Sequence, residues 1–429
     1  MRNLPFKAYF WGIILLNMYI YNISFSFLPL TCRKILTLFG IFVFILKWQH
    51  TQYYKQGIKK TSQLLFLFFL LTAFSLIAGI FNGDIDVFFI STTISFISNF
   101  FAAYFVLYSL HFLYGTPYHT EKFLLLIVLA ILSNNLLAFS ASLIPTVYNF
   151  LLSIQNVNSE TLDLVTDSSG SLMRLFGLGE NTFFNGGAYS CLGLLLSTYL
   201  QFQSKQIMSK YIYLIIFILI LVTGTLIART TLVGFLLSIL FIIYLSRKEI
   251  RILFKHILIF LSAIPLLFGA FILFLEYLNP KMLEWGLELI TNYFASGTAE
   301  SASTNEMFDM WRGVPEHVST YIIGDGQFIL PDGSYYMHVD IGVLRILYFI
   351  GIPGLLLLFT IVYKLVFPHK LSGNARKLSF FIWGWVLTMN LKGFFFPLSF
   401  CLLLFIYYLF NSSENNRSNK HIPIQISYE

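Results

Sequence analysis

The sequence predicts an all-α fold of membrane-crossing helices, and three observations predict it. Of 429 residues, 57% are apolar and only 11% are charged, against about 45–50% and about 25% in ordinary soluble domains. Mean hydropathy is +0.76, and Phe alone occurs 48 times. The apolar residues gather into runs of about 17–25, the length a helix needs to cross the hydrocarbon core. Two or three soluble domains could be built from this length, but not kept in water with so few charges. The composition excludes a soluble enzyme, a disordered chain and a nucleic-acid binder, although the pI is near 9.1. The net charge of +7 instead reports orientation, because Lys and Arg concentrate on the cytoplasmic side of membrane proteins.

Twelve runs qualify: 8–28, 31–47, 64–81, 87–113, 123–144, 186–203, 208–224, 229–246, 256–278, 339–367, 378–395 and 396–411. No small-x-small cleavage site closes 8–28, so it reads as an anchor that stays. Cys32, Cys191 and Cys401 are odd in number and lie in or beside apolar runs, which argues against a disulfide framework. With the N-terminus in the cytoplasm, the loops on that side are 48–63, 114–122, 204–210, 247–255, 368–377 and the C-terminal tail. With their flanks, Arg2 and Lys7, they hold 19 of the 27 basic residues and only 4 of the 20 acids. This is the positive-inside pattern, and it puts both termini in the cytoplasm. Joining 208–246 into one kinked span would turn the basic loop 247–255 outward, so two spans are kept. The chain reads as a single polytopic transmembrane domain, 1–429.

Two extracytoplasmic loops are long, 145–185 and 279–338. The second carries two helical stretches, 281–294 and 303–313, with Glu284, Trp285 and Glu288 on a mixed face. Gly324-Asp325-Gly326 and Pro331-Asp332-Gly333 read as turns. A long structured outer loop points to chemistry or recognition at that face.

A charge at bilayer depth costs at least about 2.5–3.5 kcal/mol and marks function by default. Four outer-side cations go against the charge bias: Arg174, Arg229, Arg312 and Arg345. Arg174 opens Arg174-Leu175-Phe176-Gly177-Leu178-Gly179-Glu180-Asn181, which runs through Asn185-Gly186-Gly187 into a span. Free N–H groups at a helix start favour anions, and the planar guanidinium reaches two oxygens at once. That combination suits an oligophosphate; a loop with Arg174 paired to Glu180 is the plainer reading. Arg229, in Ala228-Arg229-Thr230-Thr231, sits at the tip of a tight hairpin, where snorkelling to the interface is the alternative. Tyr335-Tyr336-Met337-His338-Val339-Asp340-Ile341-Gly342-Val343-Leu344-Arg345 closes the long loop and opens a span. His338 there suits a general base, although Asp340 equally suits a helix first turn. With a helix from Val339, Arg345 lies a turn deeper, and Asp340 is its nearest partner. Lys392 is a weaker candidate. Asn134 and Asn135 suit either a cavity or interhelical bonds. No P-loop, dinucleotide fingerprint or zinc spacing is present, so neither metal nor cofactor is expected.

In their order these features resemble the O-antigen polymerase family (Wzy type) and the related O-antigen ligases. The resemblance spans about 174–354. It runs from Arg174-Leu175-Phe176-Gly177 through Leu226-Ile227-Ala228-Arg229-Thr230-Thr231-Leu232-Val233-Gly234. It continues with Met310-Trp311-Arg312, Tyr321-Ile322-Ile323-Gly324-Asp325-Gly326, His338 to Arg345, and Gly351-Ile352-Pro353-Gly354. Ligases tend to show His-Asn where this chain has His338-Val339, and Asp340-Ile341-Gly342 looks more like the polymerase version. The resemblance implies a multi-pass protein of the cell inner membrane in lipopolysaccharide or other surface-polysaccharide biosynthesis. It implies a metal-independent glycosyltransferase that moves a growing glycan from undecaprenyl pyrophosphate to the distal sugar of a lipid-linked repeat unit. The partners implied are that lipid-linked oligosaccharide, membrane lipids, and a chain-length regulator and flippase of the same pathway. Under it, Arg174 and Arg229 hold pyrophosphate, and His338 or Asp340 positions the acceptor hydroxyl. Glu180, Asn185, Arg312, Arg345, Trp311 and Tyr335 bind substrate. A ligase acting on lipid A-core and a lipid-linked oligosaccharide flippase are the alternatives.

Overall fold

The computed structural model describes residues 6–47, 55–83, 85–114, 120–157, 165–166, 174–202, 207–246, 269, 273, 276, 280–298, 301–368, 371 and 373–418. The elements formed there are helices: α1 (Phe6–Ile20), α2 (Cys32–Leu46), α3 (Lys55–Asn82), α4 (Phe88–Tyr114), α5 (Thr120–Leu143), α6 (Pro145–Ile154), α7 (Phe183–Gln201), α8 (Lys210–Ile227), α9 (Thr231–Ser246), α10 (Pro280–Ser296), α11 (Ala302–Arg312), α12 (Val318–Ile322), α13 (Gly342–Val366), α14 (Gly373–Asn390) and α15 (Leu398–Ser418). Among the described residues, five stretches are long and apolar enough to cross a membrane: Lys59–Asn82, Phe88–Tyr114, Thr120–Leu143, Lys210–Ile227 and Gly342–Val366. Thr231–Ser246 and Leu398–Leu409 are shorter apolar helices. The expected span 256–278 lies outside the described residues but for three isolated positions. The other expected runs each carry a helix.

Two run boundaries differ from expectation. The run 8–28 is helical only to Ile20. Asn22 then takes a left-handed φ of 45°, which ends a helix, and Phe25 pairs with Gln155 instead. At 15 residues, α1 is about 22 Å long, short of the roughly 30 Å core. The run 339–367 begins its helix at Gly342, because Ile341 is extended (φ −60°, ψ 117°). Asp340 therefore precedes the helix.

Helix α7 is the bundle's axis, with every residue from Gly186 to Gln201 buried. Small residues let α8 and α9 approach it closely, as interhelical packing in lipid requires. A Cβ on Gly224 would lie 2.6 Å from Ser190 Cβ, and one on Gly234 2.6 Å from Cys191 Cβ. Asn135 of α5 makes an interhelical bond, donating to Ser190 Oγ at 3.0 Å, whereas Asn134 Oδ1 accepts from Leu178 N, in the loop before α7, at 2.8 Å.

Helices α10 and α11, in the stretch expected to be the long outer loop, pack as a cap on residues of α8 and the start of α13. Met282 of α10 buries itself with Leu175, Leu226 and Ile227. Met307, Met310 and Trp311 pack on Val339, Ile341 and Leu344. A break in α13 anchors the cap. Pro353 has no N–H to give the carbonyl four residues back, Phe349, and Gly351 is left-handed at φ 66°. Gly326 N–H supplies the missing bond to Phe349 O at 3.1 Å, and Asp325 N–H takes Tyr348 O at 2.5 Å.

Candidate functional site

Two cavities that share Asn185 and Phe394 form adjoining parts of about 330 and about 490 Å³; the larger lies against α10 and α11 and concentrates positive charge. Four cations line that part, each from a different place in the chain: Arg174 before α7, Arg229 between α8 and α9, Arg345 in α13, and Lys392 after α14. Asp340 is the one carboxylate among its described lining residues. Such a concentration of like charge needs compensating contacts; those of Arg229 come from α10, and those of Arg345 from aromatic rings and Asp340.

Trp285 of α10 has the Arg174 guanidinium 4.5 Å and the Arg229 guanidinium 5.0 Å from its ring centroid. Each such contact contributes about 0.5–1 kcal/mol, and more when desolvated. Glu288, one turn on, accepts from Arg229 Nη1 at 2.6 Å. The mixed face of this helix is thus turned onto two arginines. Burial pushes the pKa of Arg174 down, the neighbouring charge of Arg229 adds to this, and Glu288 opposes it. Arg174 remains charged in any physiological range.

Arg345 is the deepest cation. Its guanidinium lies 3.7 Å from the Tyr335 ring centroid and 4.0 Å from that of Phe328. Its Nη1 reaches Asp340 Oδ1 at 3.7 Å, the pairing expected from the sequence, made by an extended segment rather than a helical one. Its Nε is buried without a hydrogen-bond partner. The Asp340 side chain lines the cavity and is 51% exposed. Even so, partial burial raises its pKa above the usual carboxylate range, against the pull of Arg345 and Lys392.

Helix dipoles add to the field. Thr182 to Asn185 line the cavity at the start of α7, which has no acid in its first turn. An N-terminus carries roughly half a positive charge. Asn185 is exposed to the cavity. Thr230 Oγ1, also in the wall, is buried without a partner.

Most of the remaining expected site residues lie outside this part of the cavity. His338 is exposed in a turn where it and Met337 both take left-handed φ, 52° and 54°. It is not among the residues that line the cavity. Glu180 pairs with Arg33 at 3.3 Å, not with Arg174, and lines the adjoining part. Arg312 pairs with Asp309 at 2.9 Å on the exposed face of α11, and Trp311 packs within the cap. Tyr335 does line the cavity. Trp285, Lys392 and Arg33 carry more of the arrangement than their sequence context signals. Lys392 and Arg33 sit at helix ends, where snorkelling is ordinary. Among the described residues, no three His, Cys, Asp or Glu side chains gather as a metal site would require. No protein-family model, curated protein or solved structure matches the chain.

Proposed function

We propose that the chain is a surface-polysaccharide polymerase of the O-antigen type, set in an inner membrane by about 12 spans with both termini cytoplasmic. It transfers a glycan from undecaprenyl pyrophosphate to the distal sugar of a lipid-linked repeat unit at the outer face. The observation that carries this reading is the convergence of Arg174, Arg229, Arg345 and Lys392 on one cavity with a single carboxylate among its described lining residues. As the bond between the anomeric carbon and the phosphate oxygen breaks, negative charge grows on the departing pyrophosphate. Preorganised cations and a helix N-terminus stabilise that charge where it develops. The acceptor hydroxyl needs a group to take its proton. Asp340 stands in the cavity for this, and a raised pKa brings it nearer the working pH of a general base. His338 is assigned no contact with the reacting atoms.

The test is the surface-glycan ladder of a deletion strain complemented with each variant, at equal membrane abundance. Losing one charge-assisted contact costs about 1.5–3 kcal/mol, or about 10- to 150-fold in transfer. Arg174→Ala and Arg229→Ala should therefore leave mainly single-unit products, with Lys rescuing only in part. Full ladders from both alanine variants would remove the proposal. A deletion strain with no surface glycan at all would favour the flippase reading. Full-length glycan that stays on its lipid carrier would favour the ligase.

A further inference from the structure

The adjoining part of the cavity, about 330 Å³, has a different chemistry. Asn185 and Phe394 line both parts, so they meet at those two side chains. Its described charged lining groups are Arg33 and Glu180, which neutralise one another at 3.3 Å. Arg33 is further committed to the end of α1, donating from Nε to Tyr19 O at 3.0 Å and from Nη2 to Ile20 O at 2.9 Å. Among the described lining residues no cation is left for a phosphate. The other walls alternate polar groups, such as Ser95 and Asn99, with the rings of Phe88 and Phe396. A volume at the low end of small-molecule sites, with a few polar groups among aromatics, is the form of a specific pocket.

Asn99 supplies the second observation. It is 5% exposed, and its Oδ1 has no hydrogen-bond partner. An unmet buried polar group costs about 1–3 kcal/mol, and in a native fold it calls for a reason. Asn99 lines the cavity, and a turn of its amide would bring that oxygen to a ligand hydroxyl. We propose that this part of the cavity is a subsite for an uncharged sugar ring, whose hydroxyls meet Asn99 and Asn185 while its C–H face lies on phenylalanine. The identification of the ring as part of a lipid-linked glycan rests on the polymerase reading. A lipid chain would leave the polar wall unmet, and a phosphate would find no free cation among the described lining residues.

The experiment uses the full-length chain in its native membrane, with a photo-crosslinking p-benzoylphenylalanine in place of Ser95, which is exposed to the cavity. After irradiation, mass spectrometry of the labelled peptide should find a sugar adduct. An adduct with an acyl or prenyl chain alone, or none, overturns the proposal. Adding Asn99→Leu should cut the sugar adduct at least tenfold. The purified Asn99→Leu protein should melt at the same temperature as wild type or higher, since an unpaired buried amide is gone. An undiminished adduct in that variant, or a clear fall in melting temperature, also overturns it. The polymerase reading fails separately. A sugar adduct in a host whose ladder survives deletion of this protein keeps the subsite and removes the polymerase. A ladder that depends on the protein, without a sugar adduct, does the reverse.

Discussion

Asp340 shows how much a single residue's role depends on its backbone. Read as part of a helix from Val339, it would point roughly 140° from Arg345. Extended chain at Ile341 places it ahead of α13, with Arg345 at 3.7 Å. Its pKa is raised by burial, the opposing cations notwithstanding. The sign follows: the folded protein favours the protonated form, so this group favours folding at acid pH and that contribution is lost as pH rises through the raised pKa. Catalysis runs the other way, because the base must be ionised. The acid limb of kcat/KM should therefore lie above the ordinary carboxylate value of about 3.9, and Asp340→Asn should remove it along with most activity. An unchanged limb in an active Asp340→Asn enzyme would free Asp340 of the role. Arg174, Arg229 and Arg345 were legible because each opposes the bias of the side to which the charge count assigns it. His338 was misleading because its left-handed turn leaves no mark in composition or spacing. Trp285 was noted only as part of a mixed face. Its place between two arginines depends on three segments far apart in the chain.

At the scale of elements, the cavity depends on how closely α7, α8 and α9 pack. Arg229 and Thr230 lie in the short connection between α8 and α9, and the glycines of those helices set how near they come to α7. Gly234→Val would drive two methyl groups toward Cys191, whose backbone and side chain already crowd a Cβ there. Overpacking of this kind costs about 1–3 kcal/mol or more. Membrane abundance of Gly234→Val should fall several-fold, whereas Gly83→Ala, with nothing near its Cβ, should stay within twofold despite its positive φ. Equal abundance of the two would mean that the close approach is not structural. The helices of the long loop were legible from apolar spacing and turn residues: 281–294 and 303–313 correspond to α10 and α11. Their docking was not, because Met282 meets Leu226 and Met310 meets Leu344 across contacts far apart in the chain.

At the scale of the whole molecule, residues that the charge count assigns to one side of the membrane stand together at one end of the bundle. Arg33, Arg174, Arg229, Asp340, Arg345 and Lys392 all line the two adjoining cavity parts. Helix α9 leaves that end at Thr231 and runs about 24 Å to Ser246. Reporter fusions near residue 300 and near 249 should therefore signal from opposite sides, the first extracytoplasmic. A cytoplasmic signal at 300 would invert the proposed orientation.

The most direct measurement of the central claim, that the cationic cavity moves glycan off a lipid pyrophosphate, is made on the purified full-length chain in lipid nanodiscs. It is given undecaprenyl-pyrophosphate-linked repeat units extracted from the host, with a metal chelator present throughout. Wild-type protein should build a ladder of repeat units and release one undecaprenyl pyrophosphate per linkage, and the Arg174→Ala, Arg229→Ala double variant should do neither. No ladder from folded wild-type protein, restoration only by added divalent metal, or an undiminished ladder from the double variant would contradict the account.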